Sequence, residues 1–176
     1  MAAPIDIGSG PGSSVNVEIS GIFISRGHDF RGHHGKPRGE HRVTALDAVE
    51  CVAGKGLAGD RYFGFKDGYI GQITFIDFSV LQAIKRKFGR PDLCASVLRR
   101  NVVIEGADLQ ALISKPFRIG DVSFHGSEEC APCYWMDQAV GAGVEQFMKG
   151  RGGLRARITS SGVLNTGKHM LVVDPD

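Results

Sequence analysis

The stretch Gly54-Lys55-Gly56-Leu57-Ala58-Gly59-Asp60-Arg61-Tyr62-Phe63-Gly64 decides between two architectures. Its first six residues match the G-x-G-x-x-G fingerprint of dinucleotide-binding folds letter for letter. That fingerprint works only where the last glycine opens a helix, whose N-terminus then faces a pyrophosphate. Here Asp60-Arg61-Tyr62-Phe63-Gly64 follows, which is not the start of a helix, so the dinucleotide reading is rejected. The glycines instead permit positive φ in a tight turn that presents Asp60 and Arg61. That pair is either a structural loop ion pair or the edge of a binding site.

Outward from this turn the chain is rich in breakers. Glycine accounts for 25 of 176 residues, twice the usual share of roughly 7%. Seven prolines add to the load, so long helices are disfavoured and a mostly β, α+β fold with short strands is expected. At 42% hydrophobic and 23% charged residues, a chain of this length can bury about 70% of its unfolded surface without disulfide staples. Residues 1–14, rich in Gly, Ser and Pro, read as a flexible lead-in, and residues 15–176 as a single domain.

Within that domain, residues 15–24 read as a strand that bends at Gly21, and 26–41 as a long loop carrying His28, His33, His34 and His41. Residues 43–52 and 70–76 read as extended. Asp77 is the expected N-cap of a helix whose apolar face is Val80, Leu81, Ile84 and Phe88. A short helix over 92–98, a strand over 101–105 and up to two helical turns over 108–113 follow. Gly120-Asp121 turns a hairpin within 117–125. Asp137 is expected to cap a second helix that turns Val140, Val144, Phe147 and Met148 inward. Residues 154–159 and 171–173 are closing strands. There is no internal repeat, and the sum is a β-barrel-like core decorated by a few short helices.

The net charge of +2 gives no field that suggests a nucleic-acid partner. Arginine outnumbers lysine 13 to 8, which favours a small anionic ligand held by bidentate guanidiniums. The N-terminus lacks a basic segment followed by an apolar one, and no stretch approaches the roughly 20 apolar residues of a membrane span. A cytoplasmic location without membrane contact is the expectation, with Cys51, Cys94, Cys130 and Cys133 as reduced thiols.

Two clusters carry possible chemistry. Cys130-Ala131-Pro132-Cys133 lacks the second ligand pair that structural zinc needs, and it is not set in the βαβ context of a redox dithiol. It is either a reactive thiol at the mouth of the fold or two plain loop cysteines. Arg99-Arg100-Asn101 enters an apolar strand, so alternation turns one arginine toward a site and the other to solvent; the competing reading is a charged guard on an edge strand. The four loop histidines offer metal ligands without a spacing that fixes geometry.

Seven segments in order then resemble one family. They are Gly56-Leu57-Ala58-Gly59-Asp60-Arg61, Gly71-Gln72-Ile73-Thr74, Arg99-Arg100-Asn101-Val102, Gly106-x-Asp108-Leu109-x-x-Leu112, Phe117-x-Ile119-Gly120, Pro132-Cys133 and Gly152-Gly153-Leu154-Arg155-Ala156-Arg157. Together they resemble the MOSC domain, the C-terminal module of molybdenum cofactor sulfurases, in its standalone small bacterial form. The catalytic domain of amidoxime-reducing proteins is similar too. The resemblance spans residues 15–173 and implies a barrel-like β fold that binds the molybdenum cofactor, Mo-molybdopterin.

On that resemblance Cys133 is the molybdenum ligand or sulfur-carrying thiolate, and Asp60, Arg61, Arg100 and Asn101 join it as cofactor-binding residues. Three functions stay open. One is a molybdenum-dependent oxidoreductase acting on N-hydroxylated compounds, with an electron-transfer protein as partner. Another is a sulfur transferase using a Cys133 persulfide charged by a sulfur-donor protein, and the third is a non-catalytic cofactor carrier. The chain departs from the family pattern at Tyr62, where histidine is frequent, and at Gly167-Lys168, where Gly-Asp is frequent.

Overall fold

A computed structural model describes residues 12–29 and 39–175. Strand β1 (Ser14–Ser25) is the longest element. Its first half pairs antiparallel with β11 (Gly167–Val173), and its second half with β2 (Val43–Leu46). Along its other edge lies β6 (Val102–Glu105), with a register shift between Ile19 and Gly21 that supplies the expected bend. Next to β6 comes β5 (Ile73–Asp77), then β9 (Leu154–Ser160), β8 (Val122–Glu129), β7 (Pro116–Ile119) and β11 again. Seven strands thus form a closed barrel. A separate three-stranded sheet joins β10 (Gly162–Asn165), β3 (Ala48–Val52) and β4 (Gly56–Leu57).

Alternating apolar residues fill the barrel. Phe75, Phe117 and Phe124 are fully buried there, with Phe117 and Phe124 stacked at 5.3 Å and Phe75 edge-on to Phe124 at 5.5 Å. Strands β5 and β6 are parallel, and their outward residues Ile76 and Val103 are buried as well. That second apolar face is covered by α1 (Phe78–Lys87), a 3-10 turn at Ala95–Leu98, α2 (Trp135–Ala139) and α3 (Val144–Met148). Helix α1 starts as its sequence dictates: Asp77 Oδ1 accepts from Ser79 N at 2.6 Å, and Leu81 and Ile84 are buried.

Three local expectations are corrected. Residues 108–113 form turns rather than helix: Asp108 Oδ1 accepts from Gln110 N and Ala111 N as a cap would, but the bonds that follow run from Ile113 N to Gln110 O and from Lys115 N to Leu112 O, and Ser114 at φ 61° ends the run. The second helix is two short ones, since Gly141 and Gly143 interrupt it; Asp137 lies inside α2 and accepts from Glu145 N at 2.6 Å, capping α3 from a distance. The third is the arginine pair, whose alternation requires strand backbone. Arg99 ends the 3-10 turn at φ 54°, so both side chains turn inward. The N-terminal lead-in lies mostly outside the described residues, although Gly12 N donates to Val173 O and Val173 N to Ser13 O, both at 2.9 Å. No described helix is long and apolar enough to cross a membrane.

Gly153 has φ +103°, and a Cβ there would collide with the Phe75 carbonyl carbon and oxygen across the β5–β9 pairing. Gly153→Ala is expected to cost about 2–4 kcal/mol by urea denaturation. Gly64→Ala, at φ +65° with open space around it, should cost only about 1–2 kcal/mol.

Candidate functional site

The chain ends of β1, β5, β6, β8 and β9 meet at one rim of the barrel, and a cavity of about 200 Å³ opens there. Its walls bring together Arg61, Arg99, Arg100 and Arg155 with Cys130 and Cys133. Arg61 and Arg100, which the resemblance implies as cofactor-binding residues, thus line one cavity from positions far apart in sequence.

Asp60 is the post on which the 54–61 turn is hung. Its buried carboxylate accepts from Ser25 N and Tyr62 N, each at 3.1 Å, and from Arg61 Nη1 at 3.4 Å. Asn101 cross-braces the same region. Its Oδ1 accepts from both N and Oγ1 of Thr74, and its Nδ2 donates to Phe23 O at 3.0 Å. Asp60 and Asn101 thus spend their polar atoms on the protein, and neither lines the cavity. Their part is to place Arg61, Tyr62 and Thr74, which do.

Arg100 is 6% exposed, and three of its donors are committed: Nε to Gly152 O at 2.9 Å, Nη1 to Leu98 O at 3.0 Å and Nη2 to Cys130 O at 2.7 Å. It lends charge to the cavity while pinning the cysteine loop from behind. Arg99 is the knot of the long loop instead. Its Nη1 binds Asp29 Oδ2 at 2.8 Å, and Asp29 Oδ1 accepts from His41 N at 2.8 Å, closing the two ends of the loop on each other. Residues 30–38, with His33 and His34, lie outside the described residues, and most of the expected long loop over 26–41 falls on them. Of the other loop histidines, His28 lines the cavity and His41 faces Asp29 at 3.2 Å.

The two thiols differ. Cys133 is exposed at the cavity mouth, whereas Cys130 is buried and shares the cavity wall with Arg155. Burial alone would lower the Arg155 pKa, but Cys130, Tyr69 and Glu128 around it outweigh that and raise it. Glu128 pairs with Arg155 at 3.2 Å and Glu129 accepts from Gly152 N at 3.0 Å, so both have partners away from Cys133. Among the described residues, no group of three His, Cys, Asp or Glu could hold a metal ion.

Aromatic rings form one flank. Arg61 Cζ lies 4.8 Å from the Tyr62 ring centroid, and Tyr62 and Tyr69 are 5.0 Å apart with His28 edge-on to Tyr62 at 4.9 Å. Burial, reinforced by the Tyr62 hydroxyl, pushes Tyr69 up to about 12, so its Oη keeps its proton at physiological pH. Beyond the opposite flank runs a groove of about 750 Å³ lined by His41, Arg42, Ser96 and Gln138, sharing Arg99 and Trp135 with the cavity. Sequence reasoning assigned no role to Arg155, Tyr69 or Trp135; the arginine did stand in the Gly152–Arg157 segment, whose apolar alternation shows its side chain leaving the barrel interior.

Two measurements separate these roles. Arg100→Met strands three carbonyl oxygens and is expected to destabilise the fold by about 3 kcal/mol or more in urea titrations, whereas Arg61→Gln should stay within about 1 kcal/mol of wild type. With a thiol-specific disulfide reagent at neutral pH, Cys94 and Cys133 should react first and Cys130 slowly. Cys51, fully buried and pushed up to about 12 by that burial, should react only after unfolding. Hydrogen bonds from the Ser96 hydroxyl and amide lower the Cys94 pKa, so Cys94→Ser should remove the fastest phase.

Comparison with solved structures returns the same fold at low sequence identity. The YuaD protein from Bacillus subtilis superposes with a TM-score of 0.70 at 18% identity, over 94% of this chain and 100% of that one. YiiM from Escherichia coli gives 0.64 at 16% identity over 93% of this chain and 70% of that one. YiiM from Geobacillus stearothermophilus gives 0.64 at 16% identity over 90% and 75%. No curated protein sequence matches. The MOSC domain model matches residues 54–171, from the glycine turn into the last barrel strand, and the chain belongs to the MOSC domain family.

Proposed function

We propose that the rim cavity binds the molybdenum cofactor through Cys133 and that the protein reduces N-hydroxylated compounds there. The observation that carries this reading is one cavity lined by an exposed thiol and four arginines. A soft thiolate suits a metal already held by dithiolene sulfur. Size fits as well. The cavity of about 200 Å³ is small for a whole pterin cofactor, but the adjoining groove of about 750 Å³ gives the room.

In this reading Cys133 Sγ is the metal ligand and Arg61 faces the anionic tail, while Arg99 holds the neck of the long loop beside it. Asp60, Arg100 and Asn101 keep the walls in register. The cofactor, when bound, supplies two electrons. The net reaction R–NH–OH + 2e⁻ + 2H⁺ → R–NH₂ + H₂O also needs protons, and Tyr69 Oη holds one at the cavity wall beside the Tyr62 ring. Electrons come from a partner protein. The exposure of Cys133 also suits a persulfide that hands sulfur to an acceptor, and that is the second reading.

Protein purified from a host that makes the cofactor is expected to carry molybdenum and extractable pterin, with Cys133→Ser losing the metal and Cys130→Ser retaining most of it. Arg61→Gln should weaken retention by about 1.5–3 kcal/mol, or roughly 10- to 150-fold. Metal-free protein bearing cyanide-labile sulfur on Cys133 would favour sulfur transfer instead. Bound cofactor without turnover of an N-hydroxylated substrate would leave a carrier.

A further inference from the structure

Away from the rim, the end of α1 meets the end of α3. Phe88 and Phe147 pack edge to face there at 5.7 Å. Lys87 Nζ stands 4.5 Å from the Phe147 ring centroid and Arg151 Cζ 4.8 Å from it. Lys149 joins them, with its Nζ donating to Gln146 Oε1 at 2.9 Å. These residues line a groove of about 540 Å³, a small-molecule volume, whose walls contain no acidic side chain. Arg151 also borders a smaller groove beside Asp77 and Asp108, yet forms no ion pair with either.

The arrangement is out of balance. Among the described residues neither Lys87 nor Arg151 has a carboxylate within ion-pair distance, and both crowd one ring. Two like charges gathered on a single aromatic side chain repel each other, and a shared anion relieves that repulsion. The aromatic contact also restrains two long side chains that would otherwise lose rotamer freedom on binding, while the outer N–H groups of the guanidinium stay open to a ligand. We infer that this groove is a second anion site, separate from the rim cavity, that takes a phosphorylated small molecule with its phosphoryl oxygens between Lys87, Lys149 and Arg151. The inference does not depend on the cofactor reading.

Inorganic pyrophosphate is the probe, titrated calorimetrically into the full chain at low salt. Saturable binding tighter than about 1 mM is expected. It should weaken at least about tenfold in Lys87→Gln/Arg151→Gln, because charge-assisted hydrogen bonds are worth that much. Phe147→Leu keeps every charge but frees the cations, and should weaken binding severalfold. Lys55→Gln, an exposed lysine elsewhere, should leave it unchanged. If Arg61→Gln abolishes binding and the Lys87/Arg151 variant does not, the anion sits in the rim cavity and the inference fails. It fails equally if pyrophosphate shows no saturable binding, or if polyglutamate binds in its place, which would make the patch a docking surface for an acidic protein.

Discussion

Everything at the rim depends on β1 closing the barrel. One twelve-residue strand holds β11 with its first half, β2 with its second and β6 along the opposite edge. Without the β1–β11 pairing, the remaining strands are an open sheet with two exposed edges. With it, five chain ends arrive at the same rim, and residues as distant as Arg61 and Arg155 share a cavity. Closure also fixes the direction in which β1 runs out, which brings Asp29 under Arg99 and sets the neck of the long loop.

The barrel itself was legible because its causes are local. Alternation at Val15, Val17 and Ile19, the Gly120-Asp121 turn and the Asp77 cap each act over a few residues, and each is found where its chemistry demands. Asp137 shows the limit of that reasoning. Its type and position suit a cap, but Gly141 and Gly143 cut the helix, so the carboxylate reaches forward to Glu145 instead.

Part of the cavity's lining was legible in the sequence, and its division of labour was not. Arg61, Arg100 and Cys133 stand out by residue type, and all three line the cavity. Yet the acceptors of Arg100 lie 2, 30 and 52 positions away, and Asn101 reaches across 27 and 78. Such partners are set by topology alone. A buried arginine beside an asparagine reads equally well as ligand contact or internal strut until the strands are placed. The reading of Asp60 and Asn101 as contact residues gives way to struts for that reason.

The strut formed by Arg100 has a consequence for timing. Because its guanidinium grips the carbonyls of Cys130 and Gly152 from the protein side, the cysteine loop is cast before any guest arrives. Any ligand of the cavity would therefore forfeit little free energy to ordering the Cys130 and Gly152 backbone.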